Sequence, residues 1–367
     1  MRLIHALWHI ISGAGPMWRA GRQGDLLFRY YVLKVLADEG FFEYLHEPRT
    51  YGQILAKFGF IDIDYTRSMI EILLADKETG LVREGEFYRA VSQNPVPDLE
   101  QLVGSTDHRL HGFMLMSEGL GQYILPRMRE EPISLAKTFE QDDYDFMLKF
   151  DKVLSTKLYS AMRRACFAYL KKKDIAWLRG KHLLEIGCGS GLETAEIWAR
   201  FDGDIKITAI DVVPSMIELA EEKFKKHLDE INPDHKPVTA ENRPVFKVAS
   251  ATRLPFEDNS FDASFWMLVL HWTPDPRNAI HETSRVLRPG GLLFGMQVCK
   301  PMLDEYMSLV IRSNANCYGI FWQDEYKRWM TETGIDVDLV PVLGVLRAFN
   351  HKDGRVDTRH LGEGKVR

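Results

Sequence analysis

The chain has 367 residues, 45% of them hydrophobic, which is more apolar material than one core of ordinary size takes up, so more than one domain is expected. A formal net charge of −5 gives no overall pull toward nucleic acid, and no nucleic-acid partner is expected. Cys166, Cys188, Cys299 and Cys317 show neither a disulfide framework nor a paired C-x-x-C spacing, so they read as reduced thiols of a cytoplasmic protein.

Residues Leu3–Ile11 are apolar but too short to span a bilayer, and His5, His9 and the early Pro16 argue against an exported leader. A surface helix touching lipid or a partner subunit is expected, without stable membrane insertion. The i, i+4 pair His5 and His9 has no Cys, Asp or Glu beside it in that helix, so no metal site is expected.

From Leu26 the apolar spacing is helical as far as Leu36, and Phe41–Leu45 follows the break at Gly40. Thr50 and Gln53 have the spacing of a capping box, opening a helix to Phe58. Another helix is predicted from Tyr65 to about Lys77, then a hairpin over Leu81–Ala90 with Gly85 near its turn. Helix, helix, helix, hairpin is the winged-helix order. Arg67 and Lys77 share the third helix with Glu71 and Asp76, a poor face for phosphates, so DNA docking is disfavoured.

Residues 104–175 read as a helical connector with helices at Leu110–Leu125, Tyr144–Leu154 and Lys157–Lys172, Pro126 stopping the first. Phe113, Met114, Met116 and Tyr123, with His108 and His111 at its start, give that first helix soft and aromatic side chains, suited to a core or to an adaptable apolar pocket.

His182-Leu-Leu-Glu-Ile-Gly-Cys-Gly-Ser-Gly191 is a short apolar strand, an acid, and a glycine-rich turn opening a helix at Leu192–Phe201. Such a turn brings backbone close to a nucleotide-type ligand, although its third glycine comes one residue earlier than in G-x-G-x-x-G. Ile205–Ile210 reads as a second strand delivering Asp211, Val245–Val248 as a third leading into Ala249-Ser-Ala-Thr, and a fourth starts at Phe261.

Glu185-x-Gly-Cys-Gly-x-Gly191, Asp211, Leu254-Pro-Phe-x-x-x-x-Phe-Asp262 and Arg285-Val-Leu-Arg-Pro-Gly-Gly291 together resemble the class I S-adenosylmethionine-dependent methyltransferases over 180–300. The resemblance implies an α/β, Rossmann-like, mostly parallel seven-stranded sheet with S-adenosyl-L-methionine as cofactor. It places Gly187 and Gly189 close to the methionine moiety, Asp211 on both ribose hydroxyls and Trp266 and Met267 beside the sulfonium, with Cys188, Gly191, Val212, Ser250 and Ala251 as further cofactor-binding residues. Glu185 would support the turn or the methionine ammonium. Many relatives carry Asp where this chain has Ser250, so adenine contact must lean on the serine oxygen or on backbone. The N-terminal order resembles the dimerisation region of small-molecule O-methyltransferases, implying a homodimer.

Transfer to oxygen calls for in-line placement and, for an acceptor of high pKa, a base. Leu270-His271-Trp272 is similar to the segment that supplies a general base in phenolic O-methyltransferases, with the family's Asp missing. His271 is the catalytic candidate, with Asp324 and Glu325 as acids that could orient it. His281, His227 and His235 are weaker candidates, and Glu257 and Asp258 read as a turn before the fourth strand. Helices are expected at Arg277–Leu287, Tyr306–Asn316 and Asp324–Thr333, then two closing strands within Ile335–Phe349 around Pro341 and Gly344.

The expected domains are 1–100 (helical, winged-helix-like, dimerising), 101–175 (connector and substrate cap), 176–350 (cofactor-binding) and 351–367 (frayed tail). The expected function is methyl transfer to a small hydrophobic or aromatic acceptor, on oxygen. Two alternatives stay open: carbon methylation by proximity, and a regulator that binds cofactor or DNA without catalysis.

Overall fold

The computed structural model describes residues 26–91, 95–104, 121–129, 151–152, 154–155, 157–300, 305–315, 317–339 and 345–350. The expectations for His5 and His9, for His108 to Met116, for most of the 144–154 helix and for the tail lie outside these residues. The described residues form two compact units, one from those between 18 and 153 plus 305–320, the other from 154–302 and from 321 onward.

In the first unit a helix over 26–38 precedes helices Phe41–Tyr44, Tyr51–Phe58 and Ile63–Ala75. The capping box is present: Gln53 N–H donates to Thr50 Oγ1, and Thr50 N–H donates to Gln53 Oε1. Strands β1 (Arg49–Thr50), β2 (Leu81–Glu84) and β3 (Phe87–Ala90) make a three-stranded sheet in the order β1-β3-β2, with Gly85 at positive φ in the β2–β3 turn.

Helix Ile124–Arg129 runs through Pro126 instead of ending before it. Pro126 stands in its first turn, where a backbone N–H has no intrahelical acceptor and its loss costs nothing. The apolar helix Glu305–Arg312, expected with the closing strands, belongs to this first unit. Tyr65 Oη donates to the Leu309 carbonyl at 2.8 Å, and Tyr306 Oη donates to Asp76 at 2.7 Å.

The second unit is built on seven strands: β4 (His182–Ile186), β5 (Lys206–Asp211), β6 (Val245–Val248), β7 (Phe261–Met267), β8 (Leu287–Met296), β9 (Ile335–Leu339) and β10 (Val345–Asn350). Their order is β6-β5-β4-β7-β8-β10-β9; the first five are parallel and β10 pairs antiparallel with β8 and β9. The Arg-Pro-Gly-Gly segment expected as a turn before the fifth strand lies inside β8, at a register irregularity opposite Phe261 and Ala263.

Side chains alternate across β4: Leu183 joins one apolar cluster with Cys188, Trp198 and Phe265, while Leu184 and Ile186 join another with Trp266, Phe321 and Tyr326. The helix expected over Lys157–Lys172 is two helices, Lys157–Tyr169 and Lys172–Leu178. The first lies on the sheet, with Phe167 packed on Phe265 and Phe294 in the core of the second unit. Among the described residues no helix is long and apolar enough to cross a membrane.

Candidate active site

Parallel strands bring their carboxyl ends to one edge of the sheet, and chain progression reverses at β4, which has β5 and β6 on one side and β7 and β8 on the other. Ligands of such sheets bind at this switch point. The turn Gly187–Gly191 leaves β4 there, Asp211 ends β5, Ser250 and Ala251 follow β6, His271 follows β7 and Gln297 follows β8.

The turn is tied to its neighbour strand by backbone bonds from Gly187 and Cys188 N–H to the Ile210 carbonyl, 2.8 and 3.0 Å. Gly187 has φ 72°, and a Cβ there would stand 2.5 Å from Val269 Cγ2, so only glycine fits. Gly191 has φ 79° at the start of helix Leu192–Phe201, and its missing Cβ lets helix Pro214–Ile231 approach: one would stand 3.1 Å from Ala220 Cβ. The Cys188 thiol is fully buried, and burial raises its ionisation far above the ordinary value, so it fills space and is no nucleophile.

Asp211 closes the turn. Its Oδ2 accepts from Gly189 N–H and its Oδ1 from Val213 N–H, each at 3.0 Å. Burial raises this carboxyl, and the amides of Val213, Gly189 and Val212 oppose the rise. A carboxylate offers about four acceptor positions, so Asp211 keeps acceptor capacity for a hydroxyl beside these amides.

Glu185 is 1% exposed. Its Oε2 accepts from Thr194 Oγ1 at 2.6 Å, whereas Oε1 is buried with no partner among the described residues. Burial pushes this carboxyl well above its ordinary range; the Thr194 hydroxyl opposes this, and the nearby acids Glu193 and Asp211 add to it. Glu193 is itself paired with Arg163 at 3.1 Å. A buried carboxylate with an unused oxygen, amid further acids, is a seat for a cationic group.

Around the far end of the turn, Val212 is 47% exposed and offers an apolar surface for a flat ring, and Ala251 borders the cluster of Leu184 and Ile186. Ser250 Oγ shares a hydrogen bond with Thr252 Oγ1 at 2.9 Å and accepts from Thr252 N–H, so its hydroxyl is engaged locally. Trp266 is 0% exposed and packs in the core with Tyr326, on the sheet face opposite Glu185. On the Glu185 face β7 presents Ala263, Phe265 and, at its carboxyl end, Met267, which packs against the same cluster as Cys188.

His271 stands in the turn Leu270–Trp272 and is 3% exposed. The residue that orients it is neither Asp324 nor Glu325. Glu325 instead accepts from Trp322 N–H at its own helix start, and Asp324 lies in that same first turn. Gln297, fully buried just past β8, lies 2.9 Å from His271 Nδ1 through its Nε2. Sequence reading missed it; the available signal was one polar side chain ending the apolar run Leu292–Met296. Burial lowers the His271 ring to about 3, so the imidazole is neutral. Of the weaker candidates, His281 is exposed, His227 is buried in its own helix, and His235 pairs with Asp229. Asp258 pairs with Arg285 in the turn before β7.

Residues 184–295 match the family described as "Methyltransferase domain". The chain is 31% identical over 161 residues to 27-O-demethylrifamycin SV methyltransferase of Amycolatopsis mediterranei, covering 43% of this chain and 54% of that protein. It is 34% identical over 116 residues to O-methyltransferase rstn1 of Aspergillus nomiae, covering 32% and 46%. The chain thus spans about half the length of the curated relatives it matches. The solved CurJ carbon methyltransferase shares the fold, with a TM-score of 0.67 at 17% identity over 90% of this chain and 92% of that one.

Sheet order, glycine turn and paired acids define a Rossmann-like methyltransferase domain. Residues 184–295 carry the match to that methyltransferase family, and the seven-stranded sheet around them has its Rossmann-like order. The residues present fit that family's cofactor: a glycine cradle, a diol acceptor in Asp211 and an unpaired carboxylate oxygen in Glu185.

Proposed function

We propose that this protein methylates a small hydrophobic or aromatic acceptor at oxygen, using S-adenosylmethionine. The unpaired Oε1 of Glu185, buried beside the Gly187–Gly191 turn, carries the reading, because it suits the cofactor's ammonium. In this proposal Glu185 receives that ammonium, Gly187, Cys188 and Gly189 line the methionine chain, and Gly191 lets two helices meet beneath it. Asp211 receives both ribose hydroxyls, Val212 and Ala251 flank the adenine, and the Ser250 region meets its edge through backbone. When bound, the cofactor supplies an electrophilic methyl group on a cationic sulfur, which an electron pair of the acceptor takes while the carbon–sulfur pair returns to sulfur.

The names of the two curated relatives support oxygen as the acceptor atom. Carbon methylation is the second reading, favoured by one observation: the Nδ1 of His271 is engaged by an amide, which does not equip the ring as a base. A winged-helix-like dimerisation module is the reading of the first unit, supported by Arg67 of helix Ile63–Ala75 being stacked on Tyr51 rather than offered to phosphates. All four cysteines are free thiols, which supports a reducing, cytoplasmic setting.

Calorimetry with S-adenosylhomocysteine tests the cofactor site; saturable binding is expected. Incubation with labelled cofactor and a panel of phenols, enols and cell extract tests the acceptor. A labelled protein or nucleic acid would overturn the small-molecule reading. Gel filtration at micromolar concentration tests pairing, with a monomer counting against it.

A further inference from the structure

A hydrogen-bond relay fixes which nitrogen of His271 carries the proton. Leu270 N–H donates to Gln297 Oε1 at 3.0 Å, and a backbone amide can only donate. The side-chain amide of Gln297 is therefore oriented, and its Nε2 is a donor. That NH₂ group faces His271 Nδ1 at 2.9 Å, with its other hydrogen toward the Val298 carbonyl at 3.3 Å. A neutral imidazole accepting at Nδ1 holds its proton on Nε2.

We infer that Gln297 is a positioning residue that holds His271 as an Nε2–H donor, so that His271 donates a hydrogen bond to an oxygen of the acceptor and abstracts no proton. The inference rests on the methyl-transfer reading above. It narrows the acceptor to compounds that ionise without this histidine: acidic phenols, or enolisable carbonyl compounds whose oxyanion the Nε2–H group stabilises. The acceptor's proton then goes to solvent before transfer.

Burial alone depresses the ring's protonation, and no charged side chain among the described residues contributes to it. A base of the kind known from imidazole–carboxylate pairs needs the opposite arrangement, with Nδ1–H donated to an anion and a lone pair left on Nε2. Here the group facing Nδ1 is an amide.

The test is two-bond ¹H–¹⁵N correlation on full-length protein with ¹⁵N-histidine, the His271 signal being assigned by its loss in His271→Gln. The expected result is the Nε2–H tautomer with no titration from about pH 5 to 9, as a ring with its charged form this disfavoured requires. A Nδ1–H tautomer, or titration near the ordinary value, would overturn the inference. In Gln297→Glu the carboxylate should draw the proton to Nδ1 and raise the ring's titration by at least ~2 pH units; an unchanged tautomer counts against Gln297. In Gln297→Leu, which introduces no charge, a mixture of tautomers is expected, and a pure Nε2–H signal again counts against it. Should neither variant fold, the native tautomer decides. S-adenosylhomocysteine binding on the same samples separates the two readings: no binding with the expected tautomer sinks the methyltransferase site, whereas binding with the wrong tautomer sinks only this inference.

Discussion

The Asp211 carboxylate bridges the glycine turn and the start of the next helix, taking Gly189 N–H on one oxygen and Val213 N–H on the other at 3.0 Å each. Asn in its place keeps one acceptor oxygen and points an NH₂ group at the second amide. Asp211→Asn should lose about 1–3 kcal/mol of stability, since a buried donor is left unmatched. Affinity for S-adenosylhomocysteine should fall at least ~10-fold, equivalent to ~1.4 kcal/mol. Urea denaturation and calorimetry read the two effects, and an unchanged affinity would remove Asp211 from the ribose contact.

Gly187 and Val269 meet where a side chain on the turn would have to sit. Gly187→Ala places a methyl 2.5 Å from Val269 Cγ2 at φ 72°. Overpacking of this kind costs about 1–3 kcal/mol, and the left-handed backbone adds about 1–2 kcal/mol for an L side chain. Val269→Ala in the same chain should recover the packing part and leave the backbone part. A double variant no more stable than Gly187→Ala, by urea denaturation, would refute the steric account.

Much of the fold was legible because it depends on local pattern. Strand Val245–Val248, helix Leu192–Phe201 and the Thr50–Gln53 cap lie where apolar period and capping chemistry put them. The glycine turn and Asp211 were legible for the same reason. The partner of His271 was not, because Gln297 reaches it across 26 residues, and strand order, which single-chain periodicity does not encode, makes them neighbours. Trp266 and Met267 were read together, yet one residue along a strand exchanges faces: Trp266 packs in the cluster of Tyr326 and Met267 against that of Cys188. Leu268 adopts φ 57° to turn the chain out of β7 toward Val269 and His271, a conformation nothing in its side chain announces. Helix Glu305–Arg312 joined the other unit because Tyr65 and Asp76 supply its partners from far away in the sequence.

Asp76 gives the first unit an acid-labile joint. Burial is the largest influence and would raise its carboxyl, but hydrogen bonds from Arg29 and Tyr306, the Arg29 charge and the Glu78 amide together hold it below the ordinary value. A carboxyl depressed in the folded state contributes stability above its unfolded value, about 3.9, and loses it as pH falls through the folded one. Asp76→Asn should therefore destabilise the first unit by about 1–3 kcal/mol at pH 7, the range for hydrogen bonds to a charged group, with the deficit shrinking at low pH. Hydrogen exchange of the 305–312 amides measures it; a pH-independent difference would contradict the charge argument.

Glu185 has the opposite sign. Burial is the largest influence holding its carboxyl well above the ordinary value, countered by the Thr194 hydroxyl and reinforced by the Glu193 and Asp211 charges. The folded protein then keeps a proton that the unfolded chain releases near about 4.3, so this group's contribution is full below that value and is lost as pH rises through the folded value. Glu185→Gln stays neutral and retains an oxygen for Thr194 Oγ1. At pH 8 the ligand-free variant should therefore be more stable than the parent, and the difference should shrink toward pH 5. The same change removes the anion proposed to meet the cofactor's ammonium and should weaken S-adenosylhomocysteine binding at least ~10-fold, again ~1.4 kcal/mol. Thermal unfolding from pH 5 to 8, with and without ligand, separates the effects. Greater stability with intact affinity would mean that the buried carboxyl serves no ligand.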